Sequence, residues 1–341
     1  MDQSIPGAGS PPTDPFGRFR TLVAAHADQV EAALRDICGD GCDQISRAAL
    51  SAVEAGGKRL RPLVTLLSSR VFGEPNAASV DVAVGLEVLH LASLMHDDVV
   101  DEADMRRGKP AVRQLFGNRI AVLVGDYLAA RAYRKLTNIR DWTYVEIMAQ
   151  VVDDMASSEA AFARIGPFEL TEADCLDIAR GKTAGLFGAA CRLGAMSVGA
   201  SEPDCLSMRE YGINLGIAFQ LADDLLDVFG QAREIGKDAG RDVITGQFSL
   251  PIVAALESPD GHNVRRIIEE FRSRDLGGDE LDAALANLAD AVDNAGGRAR
   301  AQEMALEHVE RARAALEGIE GDVQALNALR EIAGLVASRD R

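Results

Sequence analysis

Ala- and Leu-rich runs interrupted by charge every three or four residues recur along most of the chain, and that period predicts helix after helix. Residues 16–37 read as the first helix, closed by the Cys-Gly-Asp-Gly turn at 38–41, and Gln44–Glu54 as the second, stopped at Ala55-Gly56-Gly57. Residues 63–71 follow. The apolar segment 84–95, with no proline and no late glycine, reads as a helix running straight into a charged stretch. Further helices are predicted over 111–115, 119–136 and 143–164. After a loop at 166–170, Thr171-Glu172-Ala173-Asp174 has the form of a helix cap, and the helix it opens carries Gly181-Lys182-Thr183-Ala184-Gly185-Leu186. Residues 208–229 and 250–256 are predicted helices as well. From Asn263 onward amphipathic helices alternate Ala and Leu with charge and read as scaffold. The pattern gives an all-α chain. Residues 1–15, rich in Pro, Gly and Ser, read as a disordered tail, and no linker divides 16–341, which is expected to form a single domain.

The charged stretch is where the period carries chemistry. Asp97-Asp98-Val99-Val100-Asp101 is followed by Arg106-Arg107-Gly108. Residues four apart share a helix face, so Asp97 and Asp101 stand side by side, while Asp98 lies about 100° round. A second copy of the spacing, Asp223-Asp224-Leu225-Leu226-Asp227, ends the predicted helix 208–229. A solvated acidic face would be polar around these residues, but both copies are flanked by Leu and Val. Carboxylates gathered without soft ligands nearby suit Mg²⁺, which keeps waters and completes its shell with substrate phosphates. Gly57-Lys58-Arg59-Leu60-Arg61-Pro62 places three cations in four residues at a helix start, a pattern that fits a solvated patch or a diphosphate-binding loop. Lys182, alone on a helix rich in Ala and Gly, either snorkels outward or meets an anion.

Composition narrows the partners. With 47% apolar residues and only 5% aromatics, the chain has the mix of a helical protein. A net charge of −17 argues against nucleic acid, so an anionic substrate must be held by local cations. Cys38, Cys42, Cys175, Cys191 and Cys205 form no metal-finger spacing and are expected to be reduced thiols. No apolar run approaches 18 residues, so no transmembrane helix is expected. The N-terminus lacks the form of a secretory signal.

The two Asp motifs, Gly57-Lys58-Arg59-Leu60-Arg61-Pro62, Arg106-Arg107-Gly108, Gly125-Asp126-Tyr127-Leu128, Lys182-Thr183 and Phe219-Gln220 occur in an order that resembles the trans-prenyl diphosphate synthases over about residues 20–335. The long-chain branch is the most similar, through Ala92-Ser93-Leu94-Met95-His96-Asp97-Asp98. The resemblance implies an isoprenoid-synthase-type helical bundle around a deep cavity, with the Asp motifs facing one another across its mouth. It implies three Mg²⁺ ions bridging Asp97, Asp101 and Asp223 to an allylic diphosphate, with Asp98 and Asp227 bound directly or through water. Arg106, Lys182 and Lys237 would hold that diphosphate, and Lys58, Arg61, His90 and Arg107 that of isopentenyl diphosphate. Thr183 and Gln220 would face the allylic cation. The implied product is a linear chain of C20 or longer. Short-chain enzymes usually carry an aromatic just before the motif, whereas Ala92 and Ser93 are small and Leu89 is moderate. A cytoplasmic homodimer, loosely associated with membrane through its product, is the expected setting.

Two positions depart from the family pattern: Phe162 stands where a Gln is expected, and Gln247 where a late Lys is expected. The rival readings are a class I terpene cyclase on the same fold and an inactive regulatory subunit of a heteromeric synthase. Lys58, Arg61, His90 and Arg107 argue against the first, because a cyclase binds no isopentenyl diphosphate, and two whole Asp motifs argue against the second. His96 is expected to orient a neighbour, while His26, His262 and His308 have no evident role.

Overall fold

A computed structural model of the protein describes residues 15–39, 42–106, 108–230, 241–274 and 276–338, with backbone alone at 241 and 242. The expected tail lies outside these but for Pro15. Helices α1 (Gly17–Arg20), α2 (Ala24–Ile37), α3 (Gln44–Glu54), α4 (Leu60–Phe72) and α5 (Ala77–Val100) come first, with a 3₁₀ turn at Thr21–Val23 dividing the long helix expected from residue 16. After α5, Met105–Arg106 and Lys109–Pro110 pair as two antiparallel two-residue strands, β1 and β2, where only a helix break was expected. Then follow α6 (Val112–Phe116), α7 (Asn118–Thr137), α8 (Trp142–Phe162), α9 (Glu172–Ala179), a π-helical turn at Arg180–Ala184, α10 (Gly185–Met196) and α11 (Glu202–Phe229). The described chain closes with α12 (Arg241–Thr245), α13 (Leu250–Glu257), α14 (Gly261–Arg272), α15 (Asp279–Asn294), α16 (Gly297–Ala314) and α17 (Val323–Ala337). The all-α fold class holds.

Helix α5 is the axis. Asn76 caps it, its Oδ1 accepting the N–H groups of Ala78 and Ser79 at 2.8 and 3.1 Å while Ser79 Oγ accepts the Asn76 N–H at 3.1 Å. From Val80 to Met95 its buried residues point in almost every direction, as befits a helix enclosed by others, here α2, α4, α7 and α10. At 24 residues it is long and apolar enough to cross a membrane by composition, longer than the run visible in the sequence. Yet 72% of its apolar window is buried inside the fold, which makes it the central core helix.

Two apolar clusters flank the long helix α11. Its first half gives Cys205, Met208, Tyr211 and Leu215 to a cluster with α2–α5, α7, α8, α10 and α17. Its second half gives Leu221 and Leu225 to a smaller cluster with α13–α16. The π turn packs on both α8 and α11, and the Asp motifs at the ends of α5 and α11 face one cavity with it.

Candidate active site

The last turns of α5 set the first motif. Asp97 and Asp101 both line a cavity of about 900 Å³, and the Asp101 N–H closes the helix on the Asp97 carbonyl at 2.8 Å. Asp98 turns the other way. It is 1% exposed, its Oδ1 accepts Arg106 Nε at 2.7 Å and Arg106 Nη2 as well, and it lines a separate pocket of about 180 Å³ behind the helix. The expectation that Asp98 shares the metal site therefore meets a correction of placement: the 100° step takes its carboxylate out of the cavity. Arg106, carried on β1, faces the cavity as expected.

The second motif approaches from α11. Asp223 lines the same cavity, whereas Asp227 is exposed and lines an adjoining cavity of about 720 Å³ that also contains Asp224. The two cavities share Asp101, Arg106, Lys182 and Gln220. Gln220 sits at the middle of a hydrogen-bonded row: the Thr183 hydroxyl donates to its Oε1 at 2.7 Å and its Nε2 donates to Asp224 Oδ1 at 2.9 Å. A carboxylate can only accept, so this row fixes which way the Gln220 amide points.

Lys182 and Thr183 reach the cavity through the π turn, which sequence periodicity read as ordinary helix. Widened turns of this kind recur at functional sites because they re-aim consecutive side chains. Gly181 makes the approach to α8 possible: a Cβ there would stand 1.7 Å from Ser158 Oγ. Next to that contact Lys182 Nζ pairs with Glu159 Oε1 at 2.5 Å. Burial opposes the Lys182 charge, but Asp97 and Glu159 outweigh it and hold its pKa above the ordinary lysine value. Burial pushes Asp97 up to about 6. Lys182 and Arg106 pull it back, while Glu159 and Asp101 push it further.

Lys58, Arg61 and His90 line the same cavity from the other side. Arg61 lies over the Phe187 ring at 4.6 Å. Arg59, one of the three clustered cations, is committed to the fold. It takes the left-handed conformation (φ 46°) at the start of α4, donates to Glu31 Oε1 at 3.0 Å and to buried Glu87 Oε1 at 2.9 Å, and reaches the Val53 carbonyl at 2.9 Å. His96 lines the cavity too, its Nε2 standing 3.3 Å from the Val122 carbonyl and 3.4 Å from Asp126 Oδ1. A Cβ at Gly125 would meet that ring at 2.2 Å, which accounts for glycine before Asp126.

Leu89, Ala92 and Ser93 line the apolar part of the cavity, one to two turns below Asp97, as expected. Ala129 of α7 and Val152, Met155 and Ala156 of α8 line it as well, with Leu60, Leu94 and Phe219. The four on α7 and α8 were invisible in the sequence, since nothing in an apolar helix says which neighbour it will face. Glu159 is marked by its partner Lys182 and by no pattern in the sequence. Phe162 and Gln247 both line the adjoining cavity. Arg107 and Lys237 lie outside the described residues.

Among the described residues no three acidic, histidine or cysteine side chains converge as a ready cage for a metal. Mg²⁺ requires none, because one or two carboxylates and substrate phosphates suffice. The donor set is all oxygen, and Asp97 and Asp101 sit at the negative end of the α5 dipole, where a cation is favoured. The residues fit the ion.

Comparison with known proteins gives the same picture. The sequence profile described as polyprenyl synthetase matches residues 42–288. The chain is 32% identical to the octaprenyl diphosphate synthase of Escherichia coli over 95% of this chain and 99% of that one. A polyprenyl synthase of Caulobacter crescentus, solved with calcium and isoprenyl diphosphate, superposes with a TM-score of 0.88 at 32% identity, over 97% of this chain and all of that one. A decaprenyl diphosphate synthase of Rhodobacter capsulatus gives 0.85 at 33% identity, over 96% of this chain and all of that one.

Proposed function

The chain belongs to the polyprenyl synthetase family, and we propose that its cavity joins isopentenyl diphosphate head-to-tail to an allylic diphosphate, giving a linear trans-polyprenyl diphosphate of C20 or longer. The observation that carries the reading is the division of one cavity into an acidic mouth at Asp97, Asp101 and Asp223, a cationic wall at Lys58, Arg61 and His90, and an apolar floor at Leu89, Ala92 and Ser93.

Arg106 and Lys182 hold the allylic diphosphate at the mouth, with Lys237 assigned to the same group from its place in the sequence. Asp97, Asp101 and Asp223 would hold Mg²⁺, assigned as three ions together with the substrate, and the ions bound there would supply the charge that makes pyrophosphate a good leaving group. The Caulobacter relative, with its divalent cation and isoprenyl diphosphate, supports that assignment. Lys58, Arg61 and His90, with Arg107, hold isopentenyl diphosphate so that its double bond faces the breaking allylic C–O bond. Fixed cations aimed at the oxygens that gain charge lower the barrier without rearranging. Gln220 Oε1, held by Thr183 and Asp224, offers its remaining lone pair to the allylic cation. The new C–C bond forms, pyrophosphate takes the proton lost from the adjacent carbon, and a double bond is restored. The apolar floor keeps water from the cation and receives the growing chain.

The reading takes 16–341 as one domain and the protein as a cytoplasmic homodimer. Val122 and Leu123 of α7, each 40% exposed, and Trp142 of α8, 77% exposed, offer apolar surface for the partner. A product this apolar draws the enzyme to a membrane surface for its release.

Incubation with Mg²⁺, isopentenyl diphosphate and, separately, C10, C15 and C20 allylic diphosphates, with products sized by mass spectrometry, tests the proposal. A linear series ending at one length of C20 or more is expected. Hydrocarbon or alcohol released without isopentenyl diphosphate would replace the synthase reading with a cyclase.

A further inference from the structure

We propose that the second aspartate of each Asp-Asp-x-x-Asp motif, Asp98 and Asp224, is a positioning residue that aims a cavity-facing side chain, Arg106 in the first motif and Gln220 in the second. The inference rests on the reading above, in which Asp97, Asp101 and Asp223 carry the metal while Arg106 and Gln220 meet the substrate. The motifs share a spacing, so in each the second carboxylate is rotated about 100° from the first. What the rotation brings it to differs.

Asp98 reaches across the turn after α5 to the strand β1. Its Oδ1 takes Nε of Arg106 at 2.7 Å and a second donor from the same guanidinium, and it is 1% exposed. Two donors fix the plane of a rigid five-donor fork and aim what remains of it at the cavity. The same bond neutralises a carboxylate that would otherwise repel an incoming diphosphate. A lysine could not replace the arginine here, having one nitrogen to share between the carboxylate and the substrate.

Asp224 works within its own neighbourhood. It accepts Gln220 Nε2 one turn back at 2.9 Å and stands 3.4 Å from the Leu250 N–H at the start of α13. The first contact holds Gln220 Oε1 toward the Thr183 hydroxyl. The second ties that orientation to the helix that follows the motif. Exchanging the amide's ends would set its oxygen against the Asp224 carboxylate, so the amide has one orientation.

Two readouts on the full chain test the idea. The first is Mn²⁺ affinity in the absence of any diphosphate, so that a weakened Arg106–diphosphate contact cannot alter it, followed by electron paramagnetic resonance; the second is the KM for the allylic diphosphate against kcat. Asp97→Asn should weaken Mn²⁺ binding by about tenfold or more, while Asp98→Asn and Asp224→Asn leave it within about twofold. Asp98→Asn should raise the allylic KM by about tenfold, with Arg106→Lys adding little on top of it. Asp224→Asn should lower kcat with that KM near the parent value. Loss of Mn²⁺ affinity in Asp98→Asn or Asp224→Asn to match Asp97→Asn would overturn the proposal. An unchanged affinity in Asp97→Asn would overturn the cavity reading beneath it, a separate outcome. If Asp98→Asn fails to fold, Arg106→Lys carries the test from the other end. A raised allylic KM at unchanged Mn²⁺ affinity supports the proposal, and tighter Mn²⁺ binding by the released Asp98 overturns it.

Discussion

The mouth and the floor of the cavity are built on the same helix, and they obey different physics. Asp97 and Ala92 are five residues apart on α5, about 7 Å along its axis. At the mouth, Asp97, Asp101, Lys182 and Glu159 interact through charge at short range and partial burial, where exchanging one atom alters every neighbour. At the floor, Leu89, Ala92, Val152 and Met155 interact through volume, and the one polar group, the Ser93 hydroxyl, is turned back onto the His90 carbonyl at 2.9 Å. A single helix can thus hold the rate of the reaction at one end and the length of the product at the other, and changes at one end should leave the other untouched.

The sharpest break in that comparison is Asp97→Asn. Its carboxylate is pushed up to about 6, above the ordinary value of 3.8, first by burial. A carboxyl whose folded pKa is raised weakens the fold at any pH above both values, and that penalty disappears as pH falls below the unfolded value. At neutral pH the substitution should therefore stabilise the metal-free protein by up to about 3 kcal/mol, read as a higher melting temperature. Turnover should fall by about 10³-fold or more, because a metal ligand is lost, with product length unchanged. A variant both slower and less stable would mean that Asp97 is a structural residue.

The same carboxyl sets the pH response of the mouth. Only its deprotonated form can hold Mg²⁺, so a proton and the metal compete for it. Apparent Mg²⁺ affinity should hold above about pH 7 and fall by about tenfold between pH 7 and 5. Lys182, held above the ordinary lysine value, stays charged throughout. Product length measured at the two pH values should not change.

At the floor the expected effects are on length. Ala92→Phe or Ser93→Phe fills the space one turn below the motif, and each should shorten the product by at least one isoprene unit. The rate on a C10 primer should stay within about tenfold. Met155→Ala and Val152→Ala, on the opposite wall, should lengthen it. Mass spectrometry of the products reads both, and an unchanged length in all four variants would move the floor elsewhere.

How much of this was legible in the sequence follows the same division. Charged residues announce themselves: Asp97, Asp101, Asp223, Lys58, Arg61 and Lys182 all reach the cavity, because an Asp or Lys amid Leu and Val must have a partner. The floor announced only the half on α5, where helical spacing from Asp97 names Leu89, Ala92 and Ser93. Ala129 and Met155 lie on other helices, and the angle at which helices cross is set by packing that no local pattern records. Three charged residues also escaped the pattern. Asp98 and Asp224 share a motif with ligands but point elsewhere, and Arg59 stands among phosphate-binding cations but is spent on Glu31 and Glu87. Asp98 and Arg59 find their partners on other elements, and only Asp224 has one on its own helix, Gln220 one turn back. The π turn at Arg180–Ala184 was likewise unreadable, since it lies where Gly181 passes close to Ser158 of another helix, a contact no local pattern records.

The smallest expected effect tests the departure at Phe162. The family pattern places a Gln here, in the lining of the adjoining cavity that also contains Lys182, and a polar amide would be a natural neighbour for that ammonium. Glu159, one turn earlier on α8, already holds that ammonium at 2.5 Å, so the mouth lacks nothing that the amide would supply. Phe162 is half-buried and packs against the second apolar cluster instead. Phe162→Gln should therefore act as a packing change, costing about 1 kcal/mol of stability through lost apolar burial. The allylic KM and kcat should each move by less than about threefold. Glu159→Gln is its counterpart: it removes the charge that steadies Lys182 and should raise the allylic KM by more than Phe162→Gln changes it. Were Phe162→Gln to accelerate turnover substantially, the aromatic ring would be limiting the mouth, and rate and packing would not be separable at this edge of the cavity.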